Sequence, residues 1–361
     1  MKKSKIKPAD KPSKQSAKKA TNAASTAGTL FHKVALGVVI ASAAGMFATG
    51  IATLERPVKP REAAQKSVEE APKDAKIVVR FADDPADPSN DELIKLNTVT
   101  MADSTGKLWD LFREIGYEID GVREHGRVPR LFLASMPADL RALTRVSKRK
   151  ITFIKSTLPL ILHVNELILQ DRQRLKSIRD GMSDGAAVSS EDKAWLEDIA
   201  DLYGADRPDP GTLLKRVDII PPSLAIAQAA EESGWGTSRF AREGNALFGQ
   251  RAYKANKKGI VPHERGEGKA FKVRAFDHLI DGVKAYAHNL NSHFAYKDFR
   301  AARAGMRAAT GEIDGYGLAG ALERYSERGA DYISTIRVIM RANTLKVFDG
   351  ARLGKSVAPD A

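Results

Sequence analysis

Two adjacent glutamates, Glu231 and Glu232, close an alanine-rich stretch in a segment that reads IIPPSLAIAQAAEESGWGTSRFAREGNALFG over residues 219–249. Pro221-Pro222-Ser223 suits the first turn of a helix, because proline is preset for the first helical position and leaves no N–H unpaired there. Ser233-Gly234 predicts its stop. A carboxyl at that end faces the negative pole of the helix dipole, which disfavours ionisation. Trp235, three positions on, could lay an apolar ring over it and disfavour the charge further. Both effects lead toward a carboxyl still protonated near neutral pH, the state a general acid needs. Successive helix residues point about 100° apart, so the two acids cannot both face one cleft. From spacing alone, two solvated acids at a helix end remain the plain alternative.

The remaining residues offer little other chemistry. With no cysteine in the chain, a thiol nucleophile, an iron–sulfur cluster, a thiolate zinc site and a disulfide scaffold are excluded. His263-Glu264 opens like a zinc-protease motif, but Glu267 stands where the second histidine would be needed. His278, His288 and His293 match no common metal spacing. Gly315-Tyr-Gly-Leu-Ala-Gly320 fits a dinucleotide fingerprint in letters only, since no strand precedes it and no acid closes a βαβ unit. Ser233 and Ser292 lack the strand-to-helix elbow of a serine nucleophile. No metal and no organic cofactor are expected.

The elements that must hold the glutamates are mostly helical. In residues 139–205, Phe153, Ile154, Leu158, Ile161, Leu162, Asn165 and Ile168 fall at helical spacing, with Pro159 set to bend the helix. Lys155, His163 and Glu166 within it argue against a membrane span. Ser190 reads as the N-cap of a further helix, with acids in its first turn. Ahead of these, residues 76–138 read as a small α/β region of unknown role. It holds a β-like run at Ile77–Phe81, a helix around Leu108–Ile115, and candidate strands at Tyr117–Val122 and Leu131–Met136 joined by a turn at Gly126–Pro129. Asp277 and Asp281 read as helix-start acids. The domain that carries the glutamates takes residues 206–350, and 351–361 form a C-terminal tail.

Charge argues about address. The chain has 58 Lys+Arg against 45 Asp+Glu, for a net +13. Residues 1–33 alone hold nine lysines against Asp10, so +8 of the excess sits in a basic tail that reads as disordered and cytoplasmic. Val34–Leu54 follows with 21 uncharged residues, long enough to cross a bilayer. The positive-inside bias keeps the tail in the cytoplasm and sends the rest across. A cleaved signal peptide, with a site such as Ala41-Ser42-Ala43, is the alternative, but the basic region and apolar core are long for one. A buried soluble helix would show polar positions on one face. The reading is a single-pass signal-anchor in the inner (cytoplasmic) membrane, with a linker at 55–75 and a periplasmic or extracytoplasmic remainder. The +5 left after the tail reads as spread along the chain and identifies no partner. Nucleic acid is not expected, because the cluster of bases lies in the tail.

The segment AQAAEESGWGTSRFAREGNALFG is similar to the signature of glycoside hydrolase family 73-type β-N-acetylglucosaminidases, and most closely to their Bax branch of bacterial envelope proteins. The likeness extends through Ala285-Tyr-Ala-His-Asn-Leu290 and ends with Arg324-Tyr-Ser-Glu-Arg-Gly-Ala-Asp-Tyr332, covering residues 139–348. The resemblance implies a lysozyme-like glucosaminidase domain with a small β-lobe; with the small α/β region and the one N-terminal transmembrane helix read above ahead of it, the expected fold is mainly α (α+β). It implies cleavage of peptidoglycan glycan strands after N-acetylglucosamine. Glu232 takes the position of the family's catalytic acid. Asn245, Leu247, Phe248 and Gly249 match the motif that lines the cleft, Trp235 in the run after Glu232 is read as substrate-binding, and Tyr325 and Tyr332 match paired tyrosines of the sugar site. For a second catalytic function, Glu264, Glu267 and the substrate's own 2-acetamido group all remain open. A non-catalytic glycan-binding protein, or a lytic transglycosylase or muramidase using the same cleft, is the alternative. Protein partners stay unknown.

Overall fold

The computed structural model describes residues 104–252, 258–262 and 272–354. The lysine tail, the apolar span 34–54, the linker, the run Ile77–Phe81, Glu264 and Glu267 lie outside the described residues. The chain folds in the order α1 (Thr105–Glu114), α2 (Ile119–His125), β1 (Arg127–Val128), a 3-10 turn (Ala138–Ala142), α3 (Val146–Ser183), α4 (Ser190–Tyr203) and α5 (Pro210–Arg216). Then come α6 (Pro222–Ser233), α7 (Arg239–Gly244), β2 (Arg251–Ala252), β3 (Gly259–Ile260), β4 (Lys272–Arg274), α8 (Leu279–Ser292) and α9 (Lys297–Thr310). It closes with α10 (Gly315–Leu318), α11 (Ala330–Ala342), a 3-10 segment (Leu345–Gly350) and β5 (Arg352–Leu353). The architecture is mainly helical.

Helix α3 is the spine. All fourteen residues from Thr152 to Asn165 are buried, so this part of the helix is surrounded on every side, with α5, α6 and α8 packed on it. By length and composition α3 could cross a membrane, but its apolar stretch is buried inside the protein. The helix runs through Pro159, whose missing N–H leaves one carbonyl without its helical donor. Lys155, 1 % exposed, points its amine at the rings of Phe112 (4.2 Å), Trp109 (5.0 Å) and Tyr117 (5.1 Å). Burial pushes that amine down to about 8, and the three ring faces attract its charged form. This contact pins α1 to α3.

Helix α6 lies at the centre, buried from Pro222 through Ala230. Its alanines let α3, α11 and the closing 3-10 segment approach closely. Its first N–H groups have no partner within the helix. Asp349 supplies one, accepting from the Ser223 N–H and hydroxyl at 2.8 Å each. Just upstream, Asp218 (1 % exposed) accepts two hydrogen bonds of 2.7 Å from Arg307 and lies 3.4 Å from Arg172. Arg303, fully buried, donates to the carbonyls of Lys215, Arg216, Asp218 and Ile219 and to Asn291. This knot satisfies the carbonyls at the end of α5 and fixes where α6 begins.

Two small sheets complete the fold. Strand β4 lies between β2 and β3, antiparallel to both, with Val273 opposite Arg251 and Ile260. Strand β1 pairs in parallel with β5, Arg127 opposite Arg352, so the segment ahead of the long helix meets the end of the described chain. One apolar core runs from Leu108 to Leu353, and residues 104–138 and 139–205 share it with the helices that follow.

Three local expectations need correction. Tyr117–Val122 is not a strand: Ile119 and Val122 are the buried face of α2, and Gly126 ends that helix in the left-handed conformation. A short run of apolar residues reads alike for both element types. Leu131–Met136 is buried on its way past α8 but joins no sheet, Ala134 accepting from the Leu279 N–H at 2.8 Å. The described part of the first region is therefore helical with one two-residue strand. The N-cap of α4 is Ser189, whose hydroxyl accepts from the Asp192 N–H, one residue earlier than expected.

Candidate active site

The end of α6 is built by a run of left-handed residues. Gly234, Trp235 and Gly236 have φ of 58°, 58° and 76°. The Trp235 N–H reaches back to the Ala230 carbonyl (2.9 Å), and the Ser233 hydroxyl accepts from the Gly236 N–H (2.8 Å). Tryptophan in this conformation costs on the order of 1–2 kcal/mol, and such strain gathers at functional sites. A side chain at Gly236 would start 3.0 Å from Phe153 and 3.1 Å from Leu140, so the turn is pressed against α3 and the segment before it.

Glu232 stands just before this turn and is half-buried. Burial pushes its carboxyl up to about 7, against a hydrogen bond from Tyr332 that pulls the other way. Glu231 adds repulsion and Arg328 attraction. Tyr332 is itself held in order. Tyr286 donates to the Gln228 carbonyl oxygen at 2.7 Å, and the Gln228 amide donates to the Tyr332 hydroxyl oxygen at 3.1 Å. With its oxygen accepting from Gln228, Tyr332 has its own hydrogen free for Glu232. Gln228 and Glu232, four residues apart on α6, share one face. Burial and the nearby Glu232 charge hold Tyr286, Tyr325 and Tyr332 well above the usual phenol range. The hydroxyls therefore stay protonated as donors.

The second glutamate has a different task. Glu231 accepts from Arg328 at 2.7 Å, and Arg328 also donates to Thr335 at 2.6 Å. This ties the loop between Tyr325 and Tyr332 to α6. The two tyrosine rings stack 5.4 Å apart, with Tyr296 6.0 Å from Tyr325. Gly249 (φ 62°) closes another side, since a Cβ there would lie 3.3 Å from the Glu232 Oε2.

The structure thus brings Glu232, Tyr332 and Tyr325 together. Trp235 turns elsewhere: its ring meets Phe153 edge-on at 5.7 Å, with the Lys150 amine 4.8 Å above it. Phe248 is 3 % exposed and stacked flat on Tyr286 at 3.9 Å, so its ring is engaged in packing. Asn245, left-handed at φ 51° and 6 % exposed, donates to the carbonyls of Phe276 (3.2 Å) and Asp277 (2.9 Å). It latches the end of α7 to the chain that leaves β4. Asp281 takes part in the capping box that starts α8, and Asp277 pairs with Lys258. Among the described residues no group of three or more histidines and acids is arranged to hold a metal. Gln228, Tyr286 and Tyr296 escaped the sequence reading. Only the four-residue spacing of Gln228 from Glu232 could have drawn notice.

Comparison with known proteins shows the family. A family model described as mannosyl-glycoprotein endo-beta-N-acetylglucosaminidase matches residues 211–345. Protein bax of Escherichia coli (strain K12) is 34 % identical over 250 residues, which span 68 % of this chain and 85 % of that protein. The chain belongs to the glucosaminidase family. It is a glycoside hydrolase of the endo-β-N-acetylglucosaminidase type. The crystal structure of the catalytic domain of the autolysin Auto from Listeria monocytogenes is 19 % identical, covering 48 % of this chain and 96 % of that one with a TM-score of 0.29. The matched glucosaminidase segment contains Glu232 and both stacked tyrosines, and begins at α5.

Proposed function

We propose that this glucosaminidase is a membrane-anchored peptidoglycan hydrolase that cuts glycan strands on the far side of N-acetylglucosamine, outside the cytoplasm. Its catalytic domain follows the lysozyme-like plan, a helical body with β2–β4 as the small lobe. Glu232 donates its proton to the glycosidic oxygen as the bond breaks. The observation that carries this role is a half-buried carboxyl, pushed up to about 7 by burial, with a tyrosine hydroxyl as its hydrogen-bond partner. Such a group still holds a proton near neutral pH and can give it up to a leaving oxygen.

The positive charge that develops on the sugar needs a second group. The substrate's acetamido oxygen or Glu264 supplies it. Tyr325 forms the sugar-facing wall, while Tyr332 holds the acid. Residues 34–54 tether the chain in the inner membrane.

The test is mass spectrometry of the products from purified glycan strands. Reducing-end N-acetylglucosamine is the expected result. Ends carrying 1,6-anhydro-muramic acid would make the chain a lytic transglycosylase, and full activity in Glu232→Gln would remove Glu232 from the chemistry.

A further inference from the structure

The net charge that remains after the lysine tail is concentrated in one place. Residues 141–150 read RALTRVSKRK, five bases and no acid, whereas the rest of residues 34–361 holds 44 bases and 44 acids. Ten residues therefore carry the whole excess. They cover the entry to α3 and its first turn.

This placement works against the helix. The N-terminus of α3 has no side-chain cap and no acid in its first turn, so the bases there meet the positive pole of the dipole. The neighbouring acid, Asp139, is taken by the N–H (2.7 Å) and hydroxyl (2.9 Å) of Thr105. Several arginines elsewhere in this fold find carboxylates: Arg130 with Glu166, Arg174 with Asp192, Arg307 with Asp218, Arg328 with Glu231. Among the described residues, none of the five bases in this segment has an ion-pair partner. Arg141 and Arg145 are exposed, Arg149 donates to the Leu143 carbonyl, and Lys148 and Lys150 lie over Trp109 and Trp235.

The segment also has a definite position relative to the turn that follows Glu232. Leu140 and Phe153, on either side of it, press on Gly236, and Lys150 covers the ring of Trp235. The bases thus lie beside the turn that ends α6. Unpaired cations at the mouth of a site raise the local concentration of an anionic substrate and speed its capture.

We propose that residues 141–150 form an anion-binding rim that holds the carboxylate-bearing peptides carried by the glycan strand, while Glu232 acts on the sugar. This rests on the hydrolase reading above. The rim gives a reason for a costly arrangement of charge, and it makes the enzyme prefer glycan that still bears its acidic peptides over bare sugar polymer.

The experiment compares two substrates at low and high salt: glycan strands with their peptides intact, and an uncharged chitooligosaccharide. The readout is the ratio of the two kcat/KM values for the full chain and for Arg141→Gln/Arg145→Gln, two exposed residues whose replacement leaves the core untouched. The wild-type ratio is expected to fall with salt, because exposed charges are screened. The double variant is expected to lower it about 3- to 10-fold at low salt and to flatten its salt dependence. An unchanged ratio would overturn the rim. So would loss of binding to phosphatidylglycerol vesicles, relative to phosphatidylcholine vesicles, with the ratio intact, which would assign these bases to a lipid surface. If the wild type cuts neither substrate, the hydrolase reading fails by itself. Sedimentation with peptide-bearing against peptide-stripped glycan then still decides the rim, which requires weaker retention of the double variant on the first alone.

Discussion

Asp218 and Glu232 are two acids set into the same helical body, fourteen positions apart, and their surroundings are opposite. Asp218 faces two guanidinium groups, with a third at its carbonyl. Its charge is compensated on all sides, and the result is an anchor that fixes the start of α6. Among the described residues, Glu232 faces tyrosine hydroxyls and a glycine backbone, with one cation, Arg328, close enough to matter and that one already bound to Glu231. Its charge is not compensated, so it keeps its proton. Burial alone does not make an acid catalytic; the charge of the neighbours decides.

Exchanging each carboxyl for its amide separates the two roles most strongly. Glu232→Gln is expected to lower kcat by about 10²–10⁴-fold, the usual worth of a general acid, with the fold retained. The folded chain holds the Glu232 proton up to about 7, whereas the unfolded chain releases it in the ordinary glutamate range. Folding stability therefore falls as pH rises through that window. Glu232→Gln should remove this fall and be no less stable than wild type at neutral pH in denaturant unfolding. Asp218→Asn should do the reverse, costing about 3–5 kcal/mol by leaving buried arginines uncompensated, with the activity of the molecules that remain folded little changed.

Smaller changes sharpen the tyrosine side. Tyr332→Phe removes the hydrogen bond that favours the Glu232 anion, so the alkaline limb of kcat against pH should move to higher pH. A Tyr332 that only packs would leave the limb in place. Gln228→Met takes away the donor that orders the Tyr332 hydroxyl. The same limb should move in the same direction by less, because Tyr332 keeps its hydroxyl. A movement to lower pH in either variant would contradict the hydrogen-bond order from Tyr286 to Glu232.

Much of α6 was legible from the sequence because its limits are local chemistry. Pro222 sits at the first helical position and Gly234 takes the left-handed stop, each for reasons confined to one or two residues. The separation of Glu231 from Glu232 was legible too, since helix geometry alone points them apart. What the sequence hid is what lies far along the chain. Tyr286 and Tyr332 meet Gln228 across 58 and 104 residues, and no pattern in the letters links them. Trp235 and Phe248 look alike in a motif, but packing gives them to Phe153 and Tyr286 rather than to the acid. The bases at 141–150 could be counted from the start. That their charge goes unpaired, and that it lies beside the turn after Glu232, needed the fold.

The central claim is that burial, without a compensating cation bound to it, keeps the Glu232 proton near neutral pH. Carbon-13 NMR titration of the side-chain carboxyls, with Glu232 assigned by its absence in Glu232→Gln, measures this directly. The account predicts a midpoint near 7 for Glu232, and a midpoint in the ordinary carboxylate range would contradict it.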